Sequence, residues 1–310
     1  FARYNAVEFT PDGKRLVLGA RMDSLEHPDR TLESEIYMAD ADGKNLRLLL
    51  GKKGMSYSGA TISPSGKWMA YQYGTIEVDV PSLAIMPLDG KESDAITIPF
   101  DRNKSGLTWS ADEKSLYFTA QSNGGSPLYR VNIATKKLEQ LSSFDAGVGS
   151  FGLGRNGVVF TKTEVANPSE VYFGDAALKE TARLTDFNNW VQSKKLSFPE
   201  KKTFVNNKGM TVEYWVMKPS QFEAGKRYPL LLEIHGGPSA MWGPGEASMW
   251  HEYQYFTAKG YGVVYSNPRG SGGYGTDFLR ANINDWGAGP ASDVLTALDK
   301  TVGGGWADTR

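Results

Sequence analysis

The chain has 310 residues, of which 40% are hydrophobic and 22% charged, with 34 basic against 35 acidic side chains and a formal net charge of −1. This is the composition of a globular protein long enough for two domains, and the interspersed, nearly balanced charge gives no footprint for nucleic acid or for an anionic membrane surface. Cysteine is absent, which removes disulfides, thiolate catalysis and cysteine-ligated zinc, and no apolar run is long enough for a transmembrane helix.

Residues 1–186 carry a repeat. An apolar residue, a turn and an apolar strand recur at Phe9-Thr-Pro-Asp-Gly-Lys14, Ile62-Ser-Pro-Ser-Gly-Lys67, Trp109-Ser-Ala-Asp-Glu-Lys114 and, in degenerate form, Leu153-Gly-Arg-Asn-Gly157. The spacings between these starting residues are 53, 47 and 44. A second half recurs as well: Ile36–Lys44, Leu83–Lys91 and Leu128–Lys136 each read as strand, polar turn and the lead into another strand. Four short strands per period is the size of a β-propeller blade, with blades expected to start near Asn5, Ser58, Ser105 and Val148. Asp12, Asp42 and Asp89 precede glycines, where turn geometry favours aspartate; they are read as turn residues rather than metal ligands or catalytic carboxylates. The first copy starts almost at residue 1, without a signal-peptide pattern, so the beginning is read as internal, with blades expected upstream. The compartment stays open between periplasmic or secreted and cytoplasmic.

Residues 187–200, FNNWVQSKKLSFPE, fit no blade and are expected to connect two domains. A hairpin follows, Lys202–Val205 and Met210–Met217, whose second arm alternates Val212, Tyr214, Val216 with Thr211, Glu213, Trp215, the period of a half-buried antiparallel strand. An apolar run at Leu230–Ile234, an amphipathic helix over roughly 247–259 and a second apolar run at Gly262–Tyr265 describe a parallel βαβ unit. Residues 276–289 read as a loop or short helix, and Pro290, in a first helical turn, opens a helix running to about Val302.

Each strand of the βαβ unit ends in a glycine-rich turn: His235-Gly236-Gly237-Pro238 and Asn267-Pro-Arg-Gly-Ser-Gly-Gly-Tyr-Gly275. In open parallel sheets chemistry sits at the carboxyl ends of strands, and an HGG turn after an early strand is the signal for half of an α/β-hydrolase oxyanion hole. Acyl transfer builds negative charge on an oxygen that backbone N–H groups must face; glycine allows close approach and positive φ, and Pro238 stiffens the exit. His235, Gly236 and Gly237 make up this turn, and its backbone N–H groups are the expected donors; the histidine is read as ordering it rather than as a general base. His27 and His251 are assigned surface positions. Arg269, Tyr274 and Trp242 are candidates for substrate contact, with packing of the loops as the competing reading.

A blade repeat followed by these motifs resembles the prolyl oligopeptidase family of serine peptidases, in its acylaminoacyl-peptidase and bacterial dipeptidyl-peptidase branches. The stretches that carry the likeness are Tyr214–Pro219, His235–Pro238, Asn267–Gly275, and Asp285-Trp-Gly287 with Asp293. The resemblance implies a β-propeller, here partial with about four blades visible, followed by the N-terminal part of an α/β-hydrolase domain over 201–310. It also implies short peptide substrates, a Ser-Asp-His triad, and neither metal nor organic cofactor. The family's nucleophile stands in G-x-S-x-G, and no serine among the 310 residues does. The expectation is therefore that the triad lies beyond Arg310, that companion segments of the same parent protein complete both domains, and that residues 1–310 alone are inactive and do not fold as a stable monomer. A homo-oligomer is left open. The alternatives are a propeller with a degenerate hydrolase domain that only binds, and an esterase on the same fold.

Overall fold

The computed structural model describes residues 3–21, 31–237 and 239–308, so that His27 and Pro238 lie outside the described residues. The described part of 3–183 is built of four four-stranded sheets. The first holds β1 (Arg3–Phe9), β2 (Arg15–Arg21), β3 (Glu35–Asp40) and β4 (Arg47–Leu50). The second holds β5 (Met55–Ile62), β6 (Trp68–Thr75), β7 (Ser82–Pro87) and β8 (Ile96–Ile98). The third holds β9 (Lys104–Trp109), β10 (Ser115–Ala120), β11 (Leu128–Asn132) and β12 (Leu138–Gln140), and the fourth β13 (Ala146–Gly154), β14 (Gly157–Glu164), β15 (Asn167–Gly174) and β16 (Thr181–Arg183). In every sheet the strands lie side by side in chain order, as successive hairpins must. The only helical element among the described residues of 30–140 is the single turn Glu92–Asp94.

The repeated turns are held as their residues dictate. The Asp12, Asp42 and Asp112 carboxylates each accept the backbone N–H two residues on, at 3.0–3.1 Å, while Gly13, Gly43 and Gly66 take positive φ. In the third repeat Glu113 occupies that position at φ 57°, a conformation that costs a side chain free energy. Its carboxylate compensates by accepting the Ser65 N–H and, at 2.9 Å, the Ser65 hydroxyl. Asp89 departs from the Asx pattern: its carboxylate pairs with Arg15.

The chain forms two compact units, one of residues 1–119 and 129–139, the other of 120–128 and 140–310. In the first, the apolar residues of the first two sheets, among them Ile36, Met38, Leu50, Met69 and Met86, make a common core. Lys104 is 4% exposed there, and its Nζ donates to the carbonyls of Pro81, Arg102 and Phe100 at 2.6, 2.7 and 3.1 Å. An ammonium has three donors, and all three are used; burial pulls the group down to about 8.

The second unit contains a mixed sheet of β17 (Glu200–Val205), β18 (Thr211–Met217), β19 (Leu230–Glu233) and β20 (Gly262–Asn267), ordered β17-β18-β20-β19. β18 is antiparallel to both of its neighbours, and β19 runs parallel to β20. The crossover contains α1 (Trp250–Ala258); α2 (Thr276–Arg280) and α3 (Ala288–Val302) follow β20. A parallel bridge between Tyr228 and Ala307 adds a further pairing next to the start of β19.

The expectation of a half-buried β18 is corrected: every residue from Val212 to Met217 is buried. The strand is interior to the sheet and covered on both sides. Val212, Tyr214 and Val216 pack with Val264, Phe278 and Ala297, on the side of α2 and α3. Trp215 and Met217 pack with Val263, Tyr265 and Tyr253, on the side of α1. Alternation here separates two cores rather than core from solvent, and it carries Glu213 inward.

Candidate active site

β19 ends at Glu233, and the chain turns outward through Ile234 to Gly237. Gly237 has φ 119°, and a Cβ there would stand 2.9 Å from the Ala240 nitrogen and 3.1 Å from that of Ser239. The position therefore requires glycine. Among the described residues the N–H groups of Gly236 and Gly237 have no hydrogen-bond acceptor. Both glycines line a cavity of about 700 Å³ together with His235, Pro268, Trp286 and Leu295. Unpaired backbone donors in the wall of a cavity at the carboxyl end of a parallel strand are what an anion or an oxyanion uses.

His235 is 8% exposed. Its Nδ1 lies 3.1 Å from the Gly236 carbonyl and its Nε2 3.1 Å from Ser271 Oγ, which also lies 2.6 Å from the Pro268 carbonyl. Ser271 has a single hydroxyl hydrogen for two acceptors, so a neutral imidazole competes with Pro268 for it. Burial holds the His235 pKa below its ordinary value, opposed by the Gly236 carbonyl and the Asn267 side chain. The ring thus ties its own turn to the second glycine-rich loop.

That second loop interlocks with the first. Gly272 N–H is shared between the Ser239 and Ala240 carbonyls at 3.1 and 3.2 Å. A Cβ on Gly272 would stand 2.6 Å from the Ser239 oxygen, and one on Gly273 2.3 Å from Met241 Sδ. Asn267, fully buried at the end of β20, accepts the Trp242 N–H at 2.9 Å and donates to the Trp242 carbonyl at 2.8 Å. The Trp242 ring stands edge-on to His235 and to Tyr253, which stacks on Tyr265, which stacks on Trp215. An aromatic column therefore runs from the sheet to the turn.

Arg269 borders the cavity, with its guanidinium bound inside the protein. Nε and one terminal nitrogen reach the two oxygens of Asp293 at 2.9 and 2.7 Å, and the same terminal nitrogen donates to Asn207 at 2.6 Å. The Tyr274 hydroxyl likewise points inward, donating to Glu213 at 2.8 Å and accepting from Asn267 at 2.8 Å. Trp242 is half-buried behind the turn. His251 is exposed on α1. The sequence reading missed Glu213 and the Asn267 side chain as parts of this site. Asn267 stood inside a recognised motif, and a strand-end asparagine after an apolar run was its only local signal.

The loop after the turn continues along the 120–128 hairpin and β13. A Cβ on Gly243 would stand 2.0 Å from the Gly124 oxygen, and one on Gly245 2.4 Å from the Ala146 oxygen. Backbone lies directly on backbone there, which only glycine permits.

A mixed sheet with helices on both sides and a glycine turn at the carboxyl end of a parallel strand is an arrangement found in hydrolase-type α/β domains. Residues 247–310 match the model described as the prolyl oligopeptidase family, and the resemblance drawn from the motifs is borne out. The uncharacterized peptidase YuxL of Bacillus subtilis is 33% identical over 201 residues, which is 63% of this chain and 29% of that protein. Dipeptidyl-peptidase 5 of Trichophyton schoenleinii is 27% identical over 307 residues, 93% of this chain and 42% of its own length. An acylaminoacyl peptidase of Pyrococcus horikoshii shares the fold with a TM-score of 0.79 at 22% identity, over 99% of this chain and 46% of that one. A puromycin-hydrolyzing peptidase of Mycobacterium tuberculosis does so with a TM-score of 0.74 at 20% identity, over 99% and 48%. The chain spans less than half the length of these curated and structural relatives.

Proposed function

We propose that this chain is part of a serine peptidase that hydrolyses short peptides, of the dipeptidyl- or acylaminoacyl-peptidase type. In this reading the four sheets over 1–186 are blades of a β-propeller, 187–200 joins the domains, and 201–310 is the first part of the catalytic domain. The observation that carries it is the Gly236–Gly237 turn, whose N–H groups have no acceptor among the described residues at the wall of the cavity.

The chemistry is acyl transfer. A serine oxygen, its proton taken by the base, attacks the peptide carbonyl; the carbonyl oxygen becomes an oxyanion to which the Gly237 N–H donates, and its collapse breaks the C–N bond, the base returning the proton to the departing amine and water then hydrolysing the acyl-enzyme. Charge on that oxygen grows between ground state and transition state, so the donor acts on kcat more than on KM. The nucleophile and its acid and base are assigned to sequence outside these 310 residues, because none of their serines stands in G-x-S-x-G. Residues 1–310 by themselves then lack the means to hydrolyse a peptide. The matches to peptidases over most of the chain support the class of reaction, and substrate length stays within the proposal.

The test uses the full-length protein and a chromogenic Ala-Ala anilide. A Gly237→Val variant, strained at φ 119°, should melt lower than wild type yet still unfold cooperatively, and should lose about 10²–10³ in kcat. Unchanged kcat would remove Gly237 from the site. Absence of labelling by a serine-directed phosphonofluoridate, together with no hydrolysis, would favour a binding module.

A further inference from the structure

We propose that Asn267 is a positioning residue for the oxyanion turn, with Tyr274 and Glu213 setting the orientation of its amide. The inference rests on the reading of Gly237 as oxyanion donor and goes beyond it by naming what holds that donor in place.

Among its described residues the loop between β19 and α1 contains no helix or strand, and a catalytic donor on such a segment needs external pins to stay in register. Asn267 supplies one by binding both backbone groups of a single loop residue, Trp242. The amide has two faces, and only one serves. Its oxygen must meet the Trp242 N–H, and its NH₂ must meet the Trp242 carbonyl. Tyr274 selects that face. Its hydroxyl spends its hydrogen on Glu213 and so presents a lone pair to Asn267 Nδ2. Glu213 in turn is 8% exposed and pairs with Lys201 Nζ at 2.6 Å. Glu213 also lies directly opposite Asn267 in the β18–β20 pairing. A buried charge therefore directs each donor in series: Tyr274 toward Glu213, Asn267 toward Tyr274, and the loop toward Asn267. The bonds end on the loop that carries Gly237, which is where a positioning device must end.

The experiment compares Gly237→Val, Asn267→Ala and Tyr274→Phe in the full-length protein. It reads kcat and KM on the Ala-Ala anilide, Ki of the matching peptide aldehyde, and the thermal transition. A peptide aldehyde forms a tetrahedral adduct and senses the oxyanion donors, whereas KM for the anilide senses ground-state binding. Asn267→Ala should lower kcat by up to about 10²-fold and raise the aldehyde Ki in parallel, with KM nearly constant. Tyr274→Phe keeps its ring against Phe278, at 4.9 Å, and should show the same pattern at about tenfold. If Asn267→Ala does not fold, Tyr274→Phe decides alone. Wild-type kcat and Ki in the Asn267 and Tyr274 variants, beside a Gly237→Val variant that has lost kcat, overturn the positioning role and leave the oxyanion reading standing. A Gly237→Val variant with full kcat overturns both. Losses confined to KM or to the thermal transition assign Asn267 to scaffolding and overturn the proposal.

Discussion

Arg269 and Asp293 form a two-pronged ion pair with both side chains about 1% exposed, and Asp293 also accepts the Arg269 backbone N–H at 3.0 Å. The pair fastens the second glycine-rich loop to α3. Its charges are out of water, so each relies on the other and on a few further partners, Asn207 and Asp285 for Arg269 and Asn206 for Asp293. Asp293 raises the Arg269 pKa further, against the effect of burial.

Removing one partner strands the other. Asp293→Ala is expected to destabilise the protein by about 3–5 kcal/mol, and a matched apolar pair, Arg269→Met with Asp293→Leu, to recover most of that loss. Denaturant unfolding of the two variants beside wild type checks it. A loss of under about 1 kcal/mol in Asp293→Ala would mean the pair is solvated.

The backbone interlock predicts a sharp contrast between glycines. Gly243→Ala and Gly245→Ala place a methyl within 2.0 and 2.4 Å of carbonyl oxygens that belong to the opposing backbone. Such overpacking should cost about 3 kcal/mol or more. Gly152→Ala, where a Cβ meets nothing within 4 Å, should change stability by less than about 0.5 kcal/mol. Thermal melts of the three variants separate the two groups.

His235 gives stability a pH dependence of known sign. Its folded pKa is depressed by burial, so as pH falls the unfolded chain is protonated first, near about 6.5. The residue's contribution is complete above about pH 6.5 and is lost as pH drops from there toward the folded value. The melting temperature of wild type should therefore fall more steeply below about pH 6.5 than that of His235→Gln. Parallel profiles would show that His235 titrates normally.

Lys104 is expected to be irreplaceable by an apolar residue of equal length. Lys104→Met leaves the Pro81, Phe100 and Arg102 carbonyls without their shared donor. Orphaned buried acceptors cost about 1–3 kcal/mol each where water cannot reach them, so a loss of at least about 2 kcal/mol should appear in denaturant unfolding. Amide exchange should rise first at the loop around residue 102.

The sheets were legible because their turns announce themselves. Asp-Gly and Ser-Gly pairs close hairpins through contacts only two residues long, so the local sequence suffices. The sheets begin at Arg3, Met55, Lys104 and Ala146, close to the expected starts. The parallel pairing of β19 and β20 was legible for the same reason, from two apolar runs flanking a helix. That helix starts at Trp250 rather than near Ala247, where no side-chain cap marks the boundary. What stayed hidden was long-range. Glu213 in an alternating strand reads as solvent-facing until Tyr274, 61 positions away, is seen to bind it. Arg269 in a glycine loop reads as a hand held out to substrate until Asp293 is seen to close on it. Alternation tells which residues share a face, but not whether the second face is also covered.

The column of rings that ends at His235 also has an optical consequence. Tyr253 and Tyr265 lie 4.5 Å apart at 11° and Tyr265 and Trp215 5.5 Å apart at 12°. Chromophores held so close couple their transition moments, so the stack makes a contribution to the near-ultraviolet circular dichroism that is lost when it opens. The indole of Trp242 closes the series edge-on to the imidazole at 5.5 Å, within reach for a protonated ring to quench its emission. Displacement of the turn, or a proton arriving on His235, is therefore written into the protein's own absorption and fluorescence, with no label attached.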